Sequence, residues 1–205
     1  SADLAPSTKT YMKGAGDFGP ENRAGRNIQF GVRELAMSLI ANGMALFGLA
    51  PYVSTFAVFS DYMKPGIRLA ALMKTHVIYI FTHDSFYVGE DGPTHQPVEQ
   101  IMMLRGIPGL TVLRPADSME VAQSLDIALK AEGPVALLLT RQKVENIPGG
   151  LVENVNKGAY ILSDDDIVEI VIVATGSEVM LALKAAEILR SGGTKVRVVS
   201  MPSWE

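Results

Sequence analysis

The chain has no cysteine among its 205 residues, so no disulfide framework can staple it and no thiolate can ligate a metal. No apolar run approaches the roughly 18 residues of a membrane-spanning helix. The first residues have neither the basic start nor the apolar core of a signal peptide. Charge of one sign is also scarce: 18 Lys and Arg against 22 Asp and Glu leave a net charge of −4, without the clustered cations that nucleic-acid phosphates require. With 48% hydrophobic and 20% charged residues, the composition excludes a disordered tail or a collagen-like polymer. One large or two small domains of cytoplasmic type remain, with no nucleic-acid or membrane partner, and the length permits a sizeable core. Both ends look cut, because the chain starts at Ser1 and stops at Met201-Pro202-Ser203-Trp204-Glu205, where an α/β unit would continue into a helix. It reads as a fragment.

Hydrophobic patterning predicts alternating strands and helices, hence an α/β fold with a parallel sheet. The almost continuously apolar run Thr75 to Thr82 suits a strand buried on both faces, and Gly109 to Leu113 and Val135 to Thr140 suit two more. Between them Asp117-Ser118-Met119-Glu120 has capping-box spacing ahead of a helical stripe of Val121, Ala122, Leu125, Ala128 and Leu129. Residues 142–157, with Pro148-Gly149-Gly150 and no periodicity, read as a linker after a first domain of residues 1–141. A second, unfinished α/β domain follows over 158–205. In it Ile167 to Ala174 is a strand, Thr175-Gly176-Ser177-Glu178 a capping box, Val179 to Arg190 a helix ended by Gly192-Gly193, and Lys195 to Ser200 a strand, together one βαβ unit. Thr175-Gly176-Ser177 lacks the spaced glycines of a dinucleotide site, so capping suffices as its role.

The strongest chemical signal is Gly89-Glu90-Asp91-Gly92-Pro93-Thr94-His95-Gln96-Pro97, reached from the buried strand through His83-Asp84-Ser85. This places it at the carboxyl edge of the sheet, where open α/β folds bind ligands. A loop so rich in Gly and Pro brings His83, Asp91 and His95 together, whereas His76 starts the strand and reads as structural. A metal site is not expected from these residues, since their spacing matches no compact ligand pattern. Glu34, after Gly31-Val32-Arg33, falls in the first turn of a helix running through Leu35, Met37, Leu39, Ile40 and Met44, where the dipole favours a carboxylate. Phe56, Phe59 and Tyr62, three apart, predict an aromatic stripe on one side of a helix, which by itself is core.

These motifs, in order, resemble the transketolase family. Ser1-Ala2-Asp3-Leu4, Gly31-Val32-Arg33-Glu34, Ser54-Thr55-Phe56, Thr82-His83-Asp84-Ser85, the loop from Gly89 to Gln100 and Ala174-Thr175-Gly176-Ser177-Glu178-Val179 carry the resemblance over essentially the whole chain. It implies the pyrimidine-binding middle domain and the start of the C-terminal domain of a homodimeric, cytoplasmic enzyme of the pentose phosphate pathway. It implies transfer of a two-carbon ketol unit between sugar phosphates, with thiamine diphosphate and a magnesium or calcium ion. By the same resemblance Glu34 meets a ring nitrogen of the cofactor's aminopyrimidine, Phe59 stacks on that ring with Phe56 and Tyr62 beside it, and Asp3 lies near the cofactor at the subunit junction. His83 and His95 sit by the reactive carbon and the donor sugar, Asp91 reads a donor hydroxyl, and Ser7 and Arg141 hold the substrate phosphate.

Two departures stand out. Leu35 follows Glu34 where many relatives carry Phe or His. Nothing resembles the Gly-Asp-Gly motif that holds the diphosphate and its metal, so that part is expected on an N-terminal domain or a separate subunit, and this chain is expected to be inactive alone. Dihydroxyacetone synthase, which uses the same chemistry with formaldehyde as acceptor, and deoxyxylulose phosphate synthase, whose middle domain is similarly built, are the nearest rivals, and Asp91 with Thr94-His95-Gln96-Pro97 favours transketolase. A catalytically silent α/β interaction module is the alternative from a different class.

Overall fold

Ile78-Tyr79-Ile80-Phe81-Thr82 is β-branched or aromatic at nearly every position, and it becomes the strand around which the larger sheet is built. In a computed structural model, residues 1–148 and 154–204 are described. The elements in chain order are α1 (Ala5–Thr8), α2 (Glu34–Leu46), β1 (Tyr52–Phe56), α3 (Ser60–Met73), β2 (Ile78–Thr82), α4 (Gln100–Arg105), β3 (Thr111–Leu113), α5 (Ser118–Lys130), β4 (Val135–Leu138), β5 (Tyr160–Ser163), β6 (Ile170–Ala174), α6 (Val179–Ser191) and β7 (Val196–Ser200).

The first four strands form a parallel sheet in the order β1-β2-β4-β3. Parallel pairing requires crossovers, and the helices between successive strands supply them. One face of this sheet packs under α2 and α3 around Met37, Ala41, Met63, Ile67, Tyr79 and Phe81. Ile78, Leu113, Val135, Leu137 and Ala128 of α5 form a separate cluster. In the second sheet, ordered β5-β7-β6, β6 and β7 run parallel through α6, which is the expected βαβ unit. Its antiparallel edge strand β5 is an element the sequence pattern did not single out, being four residues long with a register irregularity between Ile161 and Ser163.

Several strand starts move inward. The run from Thr75 is a strand only from Ile78, because the ladder partner Tyr52 is where β1 begins. The run from Gly109 pairs from Thr111 opposite Val135, and the run from Ile167 pairs from Ile170 opposite Val196. The run to Thr140 ends its ladder at Leu138.

The helix predicted at 118 forms, and Asp117 caps it by accepting from the amides of Met119 and Glu120 at 3.0 and 2.9 Å. Its predicted stripe is only partly its buried face, meeting it at Ala128. Leu125 and Leu129 are exposed, while Glu120, Ser124 and Ala128 face inward. Glu120 is buried because it is a hub: it accepts from the Ala116 amide at 2.7 Å and from the hydroxyls of Tyr160 and Ser200, each at 2.6 Å. Burial and this carboxylate push the Tyr160 phenol far up. The box at 175–178 does not cap by side chain, since the Thr175 hydroxyl donates to the Arg114 carbonyl and residues 176–178 form a 3-10 turn.

The 142–157 segment is tied down on both sides of residues 149–153, which lie outside the described residues together with Glu205. Ile147 is buried and donates its amide to Asp117 at 2.9 Å, and Val155 is buried with its amide on Gln123.

Candidate functional site

At the carboxyl edge of the larger sheet three strands deliver the chemistry. β1 ends at Phe56, β2 runs into His83 and Asp84, and Arg141 follows β4 by three residues. The aromatic stripe is not on one helix. Phe56 closes β1, Phe59 ends a 3-10 turn over Ala57–Phe59, and Tyr62 lies in the first turn of α3. The chain still brings the three rings together, with Phe59 stacked between Phe56 and Tyr62 at centroid separations of 6.0 and 6.1 Å.

The two loop histidines complete this wall. The His83 ring stacks on Phe56 with centroids 3.7 Å apart, and His95 meets Phe59 edge-on at 5.3 Å. In both, the hydroxyl of the preceding threonine lies 2.9 Å from Nδ1, Thr82 for His83 and Thr94 for His95. That leaves each Nε2 without a hydrogen-bond partner among the described residues. His83 is buried and its backbone sits at φ 60°, a left-handed conformation costly for a residue with a Cβ and kept only where its surroundings dictate it. Burial pushes its imidazole below the usual value; Asp91 opposes this, and Arg141 and His95 reinforce it. The result favours a neutral imidazole near pH 7, able to accept or donate one hydrogen bond.

Arg141 is exposed and pairs with Glu90 at 3.0 Å, so the guanidinium is held over the loop that carries Asp91. Gln100 pins the end of that loop: it accepts from the Val98 amide at 2.8 Å and donates to Asp61 of α3 at 3.0 Å. His76 lies elsewhere, with Nε2 2.8 Å from the Ala128 carbonyl, as its structural reading expects.

Glu34 opens α2, and only 6% of it is exposed. Its carboxylate has neither a hydrogen bond nor an ion pair among the described residues, although desolvation makes such a group costly unless a partner is supplied. No bond joins it to His83 or His95. α2 crosses α3 closely where Ser38, one turn beyond Glu34, meets Gly66, and Asn42 donates to the Gly66 carbonyl at 2.8 Å. α2, which Glu34 opens, thus packs on α3, the helix whose first turn carries Tyr62.

Asp3 and Ser7 are both exposed, Asp3 with φ 67° beside the Ala2 amide that reaches the Ser54 carbonyl of β1, and Ser7 in α1. No contact among the described residues joins either to the histidines. The sequence pattern also passed over the buried hydroxyls of Thr55 in β1 and Ser85 beyond β2, which have no partner among the described residues, and the pairing of Asp84 with Arg114. Thirty residues separate that pair, so no local spacing could reveal it.

A cavity of about 760 Å³ lies away from this edge, between residues 10–30, α2 and β1, lined by Phe18, Phe30, Met37, Ile40 and Tyr52 among others. None of the candidate residues lines it, so convergent chemistry rather than cavity size locates the site. No cluster of three or more His, Asp or Glu among the described residues could hold a metal ion. No described helix is long and apolar enough to cross a membrane.

Residues 1–146 match the family model of the transketolase pyrimidine-binding domain, and residues 158–205 match that of the transketolase-like C-terminal domain. A transketolase of Geobacillus stearothermophilus is 52% identical over all of this chain, which covers 32% of that relative. A transketolase structure from Pichia stipitis in complex with sedoheptulose-7-phosphate superposes with a TM-score of 0.95 at 42% identity, covering 99% of this chain and 31% of that one. A split-gene transketolase described as an inactive β4 tetramer superposes at 0.76 with 29% identity, covering 99% of this chain and 64% of that one. The chain therefore spans about a third of the length of the curated relatives it matches. With a parallel α/β sheet that delivers two histidines and an aromatic wall to one edge, the chain belongs to the transketolase family.

Proposed function

We propose that this chain supplies the pyrimidine-binding half of a transketolase site, in an enzyme that moves a two-carbon ketol unit from a ketose phosphate to an aldose phosphate. The observation that carries the reading is the Glu34 carboxylate, buried at a helix start and unpartnered among the described residues. It fits a donor on a planar heterocycle, and the rings of Phe56, Phe59 and Tyr62 offer such a heterocycle a face. Thiamine diphosphate, when bound, supplies the nucleophilic carbon and the electron sink.

The chain's own residues bind, orient and move protons. Glu34 holds a proton at a ring nitrogen of the aminopyrimidine and so favours the tautomer whose exocyclic nitrogen can act as a base. His83 and His95 turn unpartnered Nε2 atoms toward donor carbonyl and hydroxyl groups. Asp91 accepts from one donor hydroxyl, and the wrong epimer would leave it unpaired. Arg141 exchanges Glu90 for the substrate phosphate, which a guanidinium grips with two parallel bonds, and Ser7 completes that contact. Asp3 belongs at the subunit junction beside the cofactor. The diphosphate and its magnesium or calcium ion are assigned to the family's N-terminal domain, and residues 142–157 to a linker between the two domains here. Cytoplasmic sugar phosphates are the substrates this reading implies.

The other half of the site comes from a partner. The α2 face with Leu35, Leu39, Ile40, Leu46 and Phe47 is exposed and apolar, which suits burial against a second copy in a homodimer. The split-gene relative supports a second arrangement, in which this portion assembles by itself without turnover and the cofactor-binding domain is a separate subunit.

The test is Glu34→Gln in the full-length protein. Ketol transfer should fall on the order of a hundredfold or more while the melting temperature holds, since a general acid–base contribution of about that size is removed. Near-normal turnover in the folded variant overturns the assignment.

A further inference from the structure

The most heavily bonded side chain near the site is one that the proposed chemistry does not use. Arg114 follows β3, with only 5% of the residue exposed, and its side chain reaches both units of the molecule. Nε donates to Asp84 Oδ2 at 2.7 Å, while Nη1 donates to the Thr175 carbonyl at 2.8 Å and pairs with Glu178. Its main chain is held as well: the amide donates to the Pro202 carbonyl at 2.8 Å, and its carbonyl accepts from the Gly176 amide at 3.1 Å. Gly176 has φ 61°, and a Cβ there would lie 2.7 Å from the guanidinium carbon, so the residue facing Arg114 needs to be glycine. Thr175, Gly176, Glu178 and Pro202 thus close around one arginine of the first unit.

Asp84, the group Arg114 holds, directly follows His83. Its side chain is almost wholly buried, and its other oxygen, Oδ1, lacks a partner among the described residues. Burial pushes the Asp84 carboxyl above its usual value, with Arg114 opposing the rise and Glu178 adding to it. A peptide bond away, His83 keeps its left-handed backbone and its stack on Phe56.

We propose that Arg114 is a positioning residue for His83, and that the second unit, residues 158–204, acts on the site by clamping Arg114 through Glu178, Thr175 and Gly176. The proposal rests on the reading of His83 as a substrate-facing residue. It gives the second unit, none of whose residues is placed at the reacting centre, a route to the chemistry: Glu178 to Arg114 to Asp84 to the His83 backbone. A purely structural ion cluster would set stability alone, whereas this clamp sets the seat of one imidazole.

The experiment uses Glu178→Ala in the full-length protein without cofactor, with the His83 ring followed by NMR through a pH titration and assigned by its loss in His83→Gln. The charged and titratable groups facing His83 are Asp91, Arg141 and His95, and none of them is altered. Loss of the Glu178 negative charge acting through space would lower the His83 midpoint. Release of the ring toward water would raise it toward the roughly 6.5 of a free imidazole. We expect the rise, with His76 unmoved, and in the holoenzyme a fall in kcat of about tenfold or more with the donor KM little changed. An unchanged or lower midpoint in the folded variant overturns the proposal. Should Glu178→Ala not fold, Glu178→Gln is read in the same way. The titration needs no turnover, so it stands apart from the Glu34 test: ketol transfer could prove absent while the His83 midpoint still moves.

Discussion

Arg141 is the residue whose surroundings speak most directly to substrate class. An exposed guanidinium held at 3.0 Å by an exposed carboxylate is weakly committed, since such pairs contribute about 0–1 kcal/mol, and a phosphate dianion can displace Glu90. Arg141→Ala in the full-length protein should therefore raise KM for phosphorylated sugars on the order of tenfold to a hundredfold, the range for a lost charge-assisted bond of about 1.5–3 kcal/mol, and leave unphosphorylated sugars nearly unaffected. Equal loss on both, in steady-state kinetics with paired substrates, would count against a phosphate role. His83, Asp91 and His95 were legible as neighbours from one polar loop after an apolar strand, because chain connectivity alone keeps them close. From periodicity Glu34 was legible only as a residue in a first turn, and a role for it came from the family resemblance alone. That its carboxylate is buried and unpaired among the described residues is a product of tertiary packing, which a place in a first turn does not reveal.

The α2–α3 crossing tests how far local propensity rules an element. Gly66 sits inside α3, directly after Pro65, and on helix propensity alone alanine there should stabilise by roughly 1 kcal/mol. Packing reverses the sign: a Cβ at Gly66 would lie 2.1 Å from Ser38 Oγ and 2.6 Å from Ser38 Cβ, so the helices must separate. Gly66→Ala should destabilise by about 1–3 kcal/mol in urea unfolding, and Ser38→Gly in the same background should recover most of that loss. Failure of the second substitution to recover stability would place the strain elsewhere. The same contrast explains α5, whose apolar stripe is visible in the sequence and yet faces out at Leu125 and Leu129, with only Ala128 of it in the core. Its inward face instead carries Glu120, because the carboxylate serves the Ala116 amide and the hydroxyls of Tyr160 and Ser200. Helical periodicity reports that a stripe exists; which neighbour covers it is decided by other elements.

On the scale of the molecule, the outward apolar faces belong together. Phe47 is 86% exposed and Leu46 65%, at the end of the helix that begins with Glu34. Covering that face with a second copy would bury the helix beside the site, which suits an active site completed by a partner. If the proposed homodimer forms through this face, Phe47→Asp should shift the full-length protein toward monomer in sedimentation, with secondary structure retained. A dimer unchanged at micromolar concentration would place the interface elsewhere. The ordering of apolar runs, turn residues and polar loops was enough to establish a parallel α/β fold and a histidine-rich edge, because these follow from local periodicity and chain connectivity. Strand β5, the inward turn of Glu120, the three-element aromatic wall and the Arg114 clamp belong to the tertiary structure. Each depends on which distant segment supplies the partner for a buried polar group or an open strand edge.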